Sequence, residues 1–152
     1  MALERTLIIL KPDAVGRRLV GEILRRLEAR GLKLVALKMT RLDREVLDVH
    51  YEAHREKPFY PSLVEFMTSG PVILGVVEGP RAIDVVRKTM GKTFSWQAEP
   101  GTIRGDLGLS GQFNLIHGSD SPESARREIG LFFRPGEFCE HPPPDPRWME
   151  GE

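Results

Sequence analysis

The stretch Asn114-Leu115-Ile116-His117-Gly118-Ser119-Asp120-Ser121 carries the best-placed nucleophile of the chain. Leu115 and Ile116 read as the end of a buried strand, with His117 at its tip. Gly118 then permits a tight turn, because glycine adopts positive φ without penalty. Ser121 reads as an N-cap, with Pro122 at the first helical position and Glu123 in the first turn. The histidine therefore sits where a strand hands over to a helix, near the positive end of the helix dipole. Such a terminus attracts anions, phosphate among them, and a nucleophilic imidazole beside it suits phosphoryl transfer. Three scattered cations extend the pattern. Lys11 ends an apolar run, Arg87 lies at the edge of a helix's apolar face, and Arg104 lies in a glycine-rich loop. Arginine suits bidentate phosphate contact. Taken with His117, the three point to a triphosphate site.

Other chemistries fit the spacing less well. Gly91-Lys92-Thr93 resembles the end of a P-loop, but the first glycine of that motif would fall on Val86. Gly105, Gly108 and Gly111 do not follow the dinucleotide fingerprint. His50 and His54 stand one helical turn apart, yet Tyr51 occupies the place where a zinc protease needs glutamate. A solvated or half-buried helix face is the expectation there. Cys139 lacks the context of a nucleophile and reads as structural.

The elements that must position these residues follow from periodicity and breakers. Thr6 to Leu10 is a continuous apolar run, expected as a central strand covered on both faces. Lys11-Pro12-Asp13 ends it. Leu19 to Arg30 repeats apolar residues at helical spacing, and Leu32 to Met39 reads as a second strand. Asp43 caps a helix expected to run to about His54. Pro58 breaks it, and Pro61 starts a short helix through Phe66. Val72 to Val77 is a third strand, and Gly79-Pro80 opens a helix from about Arg81 to Met90. Gly91 to Phe113 reads as a long irregular loop, and loops of that length tend to be functional. A last helix is expected from Pro122 to about Phe133. The tail, with Pro142, Pro143, Pro144 and Pro146, reads as non-helical and draped over a surface or a neighbouring subunit. The order implies an α/β or α+β sandwich, and periodicity leaves a parallel sheet and an antiparallel split-βαβ sheet both open.

Composition bounds the partners. At 152 residues the chain is expected to be one domain with a sizeable core. Lys plus Arg and Asp plus Glu number 22 each, so no bulk charge draws the chain to nucleic acid or an anionic membrane. The single cysteine is at home in a reducing cytoplasm. The apolar run before Lys11 is too short for a membrane span.

Four motifs together resemble the nucleoside diphosphate kinase family. They are Lys11-Pro12-Asp13, His50 to Phe59, Gly101-Thr102-Ile103-Arg104-Gly105-Asp106, and the signature Asn114 to Asp120, with Glu128 following in the last helix. The resemblance covers roughly residues 3–138, leaving 139–152 as a Pro-rich tail outside a 1–138 kinase-like domain. It implies a ferredoxin-like α+β sandwich with a four-stranded antiparallel sheet. It implies transfer of the γ-phosphate of a nucleoside triphosphate, typically ATP, to a nucleoside diphosphate, through a phosphohistidine on Nδ1 of His117 with ping-pong kinetics. Imidazole, with an ordinary pKa of about 6.5, suits that task near neutral pH.

The resemblance also implies roles for other positions. Glu128 accepts a hydrogen bond from the other ring nitrogen, and Ser119 supports the pair. Tyr51 stands close to the transferred phosphate. Arg87, Thr93 and Arg104 bind phosphates, Lys11 the sugar hydroxyl and phosphate, and Asn114 the sugar. Phe59 stacks on the base. Mg²⁺ is carried mainly by the nucleotide, and the chain is expected as a homo-oligomer, tetramer or hexamer, in the cytoplasm. A second reading is a nucleotide-binding regulatory module of the same fold with little turnover. Two departures stand out: Phe113 replaces an arginine common in relatives, and Lys92 to Gln97 replaces a common Ala-Thr-Asn-Pro pattern.

Overall fold

The computed structural model describes residues 2–149. Four strands, β1 (Leu3–Leu10), β2 (Lys33–Thr40), β3 (Val72–Pro80) and β4 (Ile116–Gly118), form one antiparallel sheet in the order β2-β3-β1-β4. Because β3 pairs antiparallel with both β1 and β2, it lies between the two strands of a split βαβ unit. This is the antiparallel alternative, with the apolar run of β1 inside the sheet.

Alternation along β1 explains why both faces are covered. Successive strand side chains point to opposite faces. Leu7 and Ile9 join one core with Val35, Leu47, Met67, Leu74 and Phe132, while Ile8 and Leu10 join the other with Ile23, Leu27, Val77, Val86 and Ile116. All four β1 residues are fully buried. On the first face lie α3 (Arg44–His50), α4 (Tyr60–Met67) and α7 (Pro122–Phe132). On the second lie α2 (Val20–Ala29) and α5 (Ala82–Met90). No helix among the described residues is long and apolar enough to cross a membrane.

Several local expectations are corrected. Pro12 opens a one-turn helix, α1 (Pro12–Gly16). Asp43 caps α3 as expected, its carboxylate accepting the Val46 N–H at 2.9 Å. The helix nevertheless stops at His50; Tyr51 turns out of helical geometry and Glu52–His54 form a separate 3₁₀ turn. β3 runs on through Gly79-Pro80, and α5 starts only at Ala82, after Arg81 takes a left-handed conformation. The stretch Gly91 to Phe113 is not structureless. It holds a 3₁₀ turn at Ser95–Gln97 and a short helix, α6 (Ile103–Leu107). Thr102 caps α6 by accepting the Gly105 N–H at 3.0 Å, and its hydroxyl donates to Glu99 O at 2.6 Å. Gly105 is required because a Cβ there would stand 2.0 Å from that same carbonyl.

The tail does drape over a surface. Cys139 N–H donates to Val35 O at 2.8 Å, and Lys33 Nζ donates to His141 O at 2.7 Å, fastening it to the β2 edge. It is not wholly non-helical: Pro146–Met149 form one turn, α8. Asp145 caps that turn by accepting Arg147 N–H at 3.0 Å, and a proline at the first helical position loses no needed donor. Residues 150–152 of the expected tail lie outside the described residues.

Candidate active site

The site is built around a strained turn. Leu115 has φ of 75°, and Ile116 N–H donates to Asn114 O at 2.9 Å. That is a three-residue turn of the rare, strained hand. Its neighbours hold it in place. Leu115 N–H donates to Asp13 Oδ2 at 3.1 Å, and Leu115 O accepts from Lys11 N at 2.8 Å. Arg104 donates from Nε to Asn114 O at 3.1 Å, from Nη2 to Ile116 O at 2.6 Å and from Nη1 to Gly91 O at 3.1 Å. The turn delivers His117 into β4, opposite Ile9 of β1. His117 thus lies within a strand instead of beyond its tip. Gly118 is needed for closeness and not for positive φ: a Cβ would come within 2.7 Å of Met90 Sδ and 2.9 Å of Val86 Cγ1.

Beyond Gly118 the chain turns into α7, capped as the sequence implies by Ser121, whose Oγ accepts the Ser124 N–H at 3.1 Å. This helix brings Glu128 back under the histidine. His117 Nε2 and Glu128 Oε1 are 2.6 Å apart, and Ser119 Oγ donates to the same oxygen at 3.0 Å. Glu128 is only 4% exposed. Burial works to raise its pKa, but the hydrogen bond from His117, the nearby imidazole charges and Ser119 together hold the carboxyl below the ordinary range. The carboxylate therefore persists in the interior and fixes which ring nitrogen of His117 carries the proton, leaving Nδ1 for the cleft.

A cleft of about 430 Å³ opens beside this pair. Lys11, Arg87 and Arg104 line it together with His117, Glu128, Tyr51, Phe59, Thr93 and Asn114. Lys11 Nζ donates to Asn114 Oδ1 at 2.7 Å, and Asn114 Nδ2 donates to Thr93 O at 3.0 Å, tying the start of β1's exit to the far loop. Arg87 Nη1 donates to Gly118 O at 3.1 Å. Burial, with Arg104 nearby, lowers the Lys11 pKa to about 8; burial, with Arg87 nearby, lowers that of Arg104 to about 10. Lys11 and Arg104 are buried near like charges, and such cations are costly alone and favourable toward a polyanion. Tyr51 has its pKa raised by burial and by Glu128, so its hydroxyl stays a proton donor. Phe59 is about half-exposed at the mouth, 5.7 Å from the His54 ring. Nine of the ten residues singled out in the sequence thus line one cleft, and Ser119 lies buried behind Glu128.

Other residues that shape the site were not legible in advance. Asp13 reads as a turn residue in the sequence, and its clamp on Leu115 depends on a partner 102 positions away. His50, expected on a solvated or half-buried face, is 5% exposed and packs edge-on against His117 at 4.8 Å between ring centroids. Gln112 lines the cleft and pins the long loop to α4, accepting from Ser62 Oγ at 3.1 Å. Of the two departures, Phe113 lies edge-on to Phe66 at 4.8 Å, and Phe94 and Trp96 are exposed and paired at 5.0 Å. A larger groove of about 1010 Å³ lies elsewhere, between Leu3, Arg81, Arg126 and Phe138; no residue of the His117 cleft lines it.

Comparison with known proteins agrees with this arrangement. The sequence profile of the family described as "Nucleoside diphosphate kinase" matches residues 4–138. A nucleoside diphosphate kinase of Thermomicrobium roseum is 64% identical over 149 residues, covering 98% of this chain and 100% of the relative. One of Pyrococcus horikoshii is 55% identical over 142 residues, covering 91% and 90%. Among solved structures, the Halobacterium salinarum nucleoside diphosphate kinase in complex with CDP superposes with a TM-score of 0.93 at 46% identity, covering 97% of this chain and 99% of that one. With its split βαβ sheet, its histidine paired to a buried glutamate and this agreement over nearly its whole length, the chain belongs to the nucleoside diphosphate kinase family.

Proposed function

We propose that this phosphotransferase carries a phosphoryl group from a nucleoside triphosphate to a nucleoside diphosphate on Nδ1 of His117. The observation that carries the reading is the 2.6 Å contact between His117 Nε2 and Glu128 Oε1. It directs the ring's lone pair, on the opposite nitrogen, toward the cleft where Lys11, Arg87 and Arg104 gather. Nδ1 attacks the γ-phosphorus, the bond to the β–γ bridging oxygen breaks, and the nucleoside diphosphate leaves with that electron pair. Glu128, steadied by Ser119, offsets the positive charge the ring acquires. Arg87, Arg104, Thr93 and the Tyr51 hydroxyl face the charge on the transferred group, where phosphoryl transfer gains most from fixed dipoles and cations. A second nucleoside diphosphate then takes the group by the reverse path. Nothing favours the regulatory alternative, since His117 and Glu128 line the cleft together with Lys11, Arg87 and Arg104. Initial rates at several fixed concentrations of the second substrate test the order: parallel double-reciprocal lines are expected, and converging lines would exclude a covalent intermediate.

The cleft suits Mg²⁺ brought by the nucleotide. Glu128 is engaged by His117 and Ser119, which leaves Asp120 as the carboxylate at the cleft wall. One carboxylate does not make an oxygen cage for a hard cation, whereas one carboxylate plus phosphates is a common Mg²⁺ arrangement. The ion supplies charge neutralisation on the phosphates.

Lys11 and Asn114 are assigned to the sugar and phosphates, and Phe59 to the base. Stacking tolerates every base. Phe59→Ala should therefore raise KM about tenfold for purine and pyrimidine diphosphates alike. A loss confined to one base would show that the pocket reads hydrogen bonds. Lys11 gives a pH signature. A lysine with lowered pKa loses its charge as pH rises through that value, here about 8. kcat/KM should then fall roughly tenfold between about pH 7.5 and about pH 9.5. Lys11→Arg should flatten that limb of the profile, and an unbroken wild-type profile to high pH would contradict the assignment.

The remaining readings are of the same kind. Residues 1–138 form the catalytic unit and 139–152 an appended segment, consistent with a family match ending at Phe138. A homo-oligomer, tetramer or hexamer, accounts for the apolar residues left exposed at Leu37, Met39, Trp96 and Leu109. A cytoplasmic setting suits the exposed thiol of Cys139.

A further inference from the structure

His50 is the one buried group of the site to which the phosphoryl-transfer scheme gives no work. Its ring is 5% exposed, and neither Nδ1 nor Nε2 has a hydrogen-bond partner. It is wedged against Tyr51, His117 and Phe132 at centroid distances of 4.4, 4.8 and 5.3 Å. Buried polar atoms are nearly always paired. Packing alone would be met by phenylalanine, as it is at Phe132 alongside. A group that keeps a free lone pair in the interior, next to another imidazole and a carboxylate, has the composition of a metal ligand.

One ligand atom from each of His50, His117 and Glu128 can be chosen so that all lie within 4.8 Å of one another. We propose that these three side chains form a site for a borderline transition-metal cation, Zn²⁺ in particular, which inhibits phosphoryl transfer by occupying His117. The proposal rests on the phosphohistidine reading, which it deepens by naming a regulator of the same histidine. Two imidazoles and one carboxylate suit Zn²⁺ and leave a fourth position open. Mg²⁺, which prefers oxygen ligands and keeps its waters, gains little from such a set. The site thus distinguishes the inhibitor from the ion that accompanies the nucleotide. Ligands on tetrahedral zinc stand roughly 3.4 Å apart, so binding draws the His50 ring and the Glu128 carboxylate inward.

Inhibition follows from the tautomer. If the metal binds Nδ1 of His117, it takes the lone pair that attacks phosphorus. If it binds Nε2, it displaces the proton shared with Glu128, and that proton moves to Nδ1. The neutral ring then carries hydrogen where the nucleophilic lone pair had been. Either way no electron pair is left for the γ-phosphate.

The test uses the nucleotide-free full-length chain and zinc chloride alone, read by calorimetry, with wild type, His50→Phe and His141→Ala compared. His50→Phe keeps the aromatic wedge and removes the ligand; His141 is an exposed histidine far along the chain. One ion per chain is expected in wild type and in His141→Ala, with affinity at least tenfold lower in His50→Phe. Unchanged binding in His50→Phe, or no binding in wild type, would overturn the site. Zinc-edge X-ray absorption on wild type decides even if His50→Phe does not fold: two imidazole nitrogens are expected, and fewer would overturn it. Uptake of label from γ-labelled ATP with Mg²⁺ separates the two readings. A chain that takes label, and still takes it with zinc bound, overturns the inhibitory site alone. A chain that takes none without zinc overturns the phosphohistidine reading, whatever its zinc affinity.

Discussion

Replacing His117 with alanine is expected to lower kcat by at least about 10⁴-fold while leaving nucleoside diphosphate affinity within about threefold of wild type. The separation follows from the division of labour in the cleft. The bond-forming atom is on His117, whereas the contacts assigned to binding are on Phe59, Lys11, Arg87, Arg104 and Asn114. Alanine also removes little from the fold. His117 is paired through its backbone with Ile9 of β1, and alanine keeps that pairing. The cost to structure is that Glu128 loses a donor and keeps only Ser119 Oγ at 3.0 Å. Steady-state rates and calorimetric binding of a diphosphate check both halves. Residual turnover within tenfold of wild type would remove His117 from the mechanism. A large loss of binding with it would mean that the histidine anchors the nucleotide.

The second large effect is expected at Arg104. Its guanidinium donates to three backbone carbonyls, those of Gly91, Asn114 and Ile116, and still lines the cleft. It therefore holds both ends of the strained Leu115 turn while lining the cleft to which the phosphates are assigned. Lysine in its place keeps a charge but cannot span three carbonyls. Buried carbonyls left without donors cost about 1–3 kcal/mol each. Arg104→Lys should lower Tm by about 5 °C or more and kcat/KM by about 10²–10³-fold. The two readouts probe different claims. An unchanged Tm would contradict the role in holding the turn. An unchanged kcat/KM would contradict the role at the phosphates.

His117, Lys11, Arg87 and Arg104 are readable from the sequence because they sit where local rules apply, whereas Glu128, Ser119, Tyr51, Phe59, Thr93 and Asn114 are reached only through the family resemblance. The Ser121 cap and the proline after it place the start of α7, and so set the register that returns Glu128 to His117. The β-branched and apolar runs give β1 and β3, whereas α3 already stops at His50, well before the breaker at Pro58. What escapes is long-range. The handedness of Leu115 is imposed by Asp13, Lys11 and Arg104, and no local pattern announces a leucine at positive φ. His50 escapes for the same reason. In the sequence it is one of a pair with His54 at helical spacing, although α3 ends at His50, and its burial arises only when α3 meets α7 and β4. The stretch from Gly91 to Phe113 looks structureless because its five glycines hide two short turns. At Gly105 the residue serves the close approach of Glu99 O, a contact visible only in three dimensions. The choice between parallel and antiparallel sheets is likewise settled by pairing, which periodicity does not encode.

The measurement that bears most directly on the account is transient phosphorylation of the protein. The chain is incubated with γ-labelled ATP and Mg²⁺, free nucleotide is removed, and the protein is examined for label. The account predicts stoichiometric label that is labile in acid and stable in base, absent from His117→Ala, and chased onto added GDP. A protein that binds nucleotide, turns it over and never retains label would contradict the central claim that the phosphoryl group passes through His117.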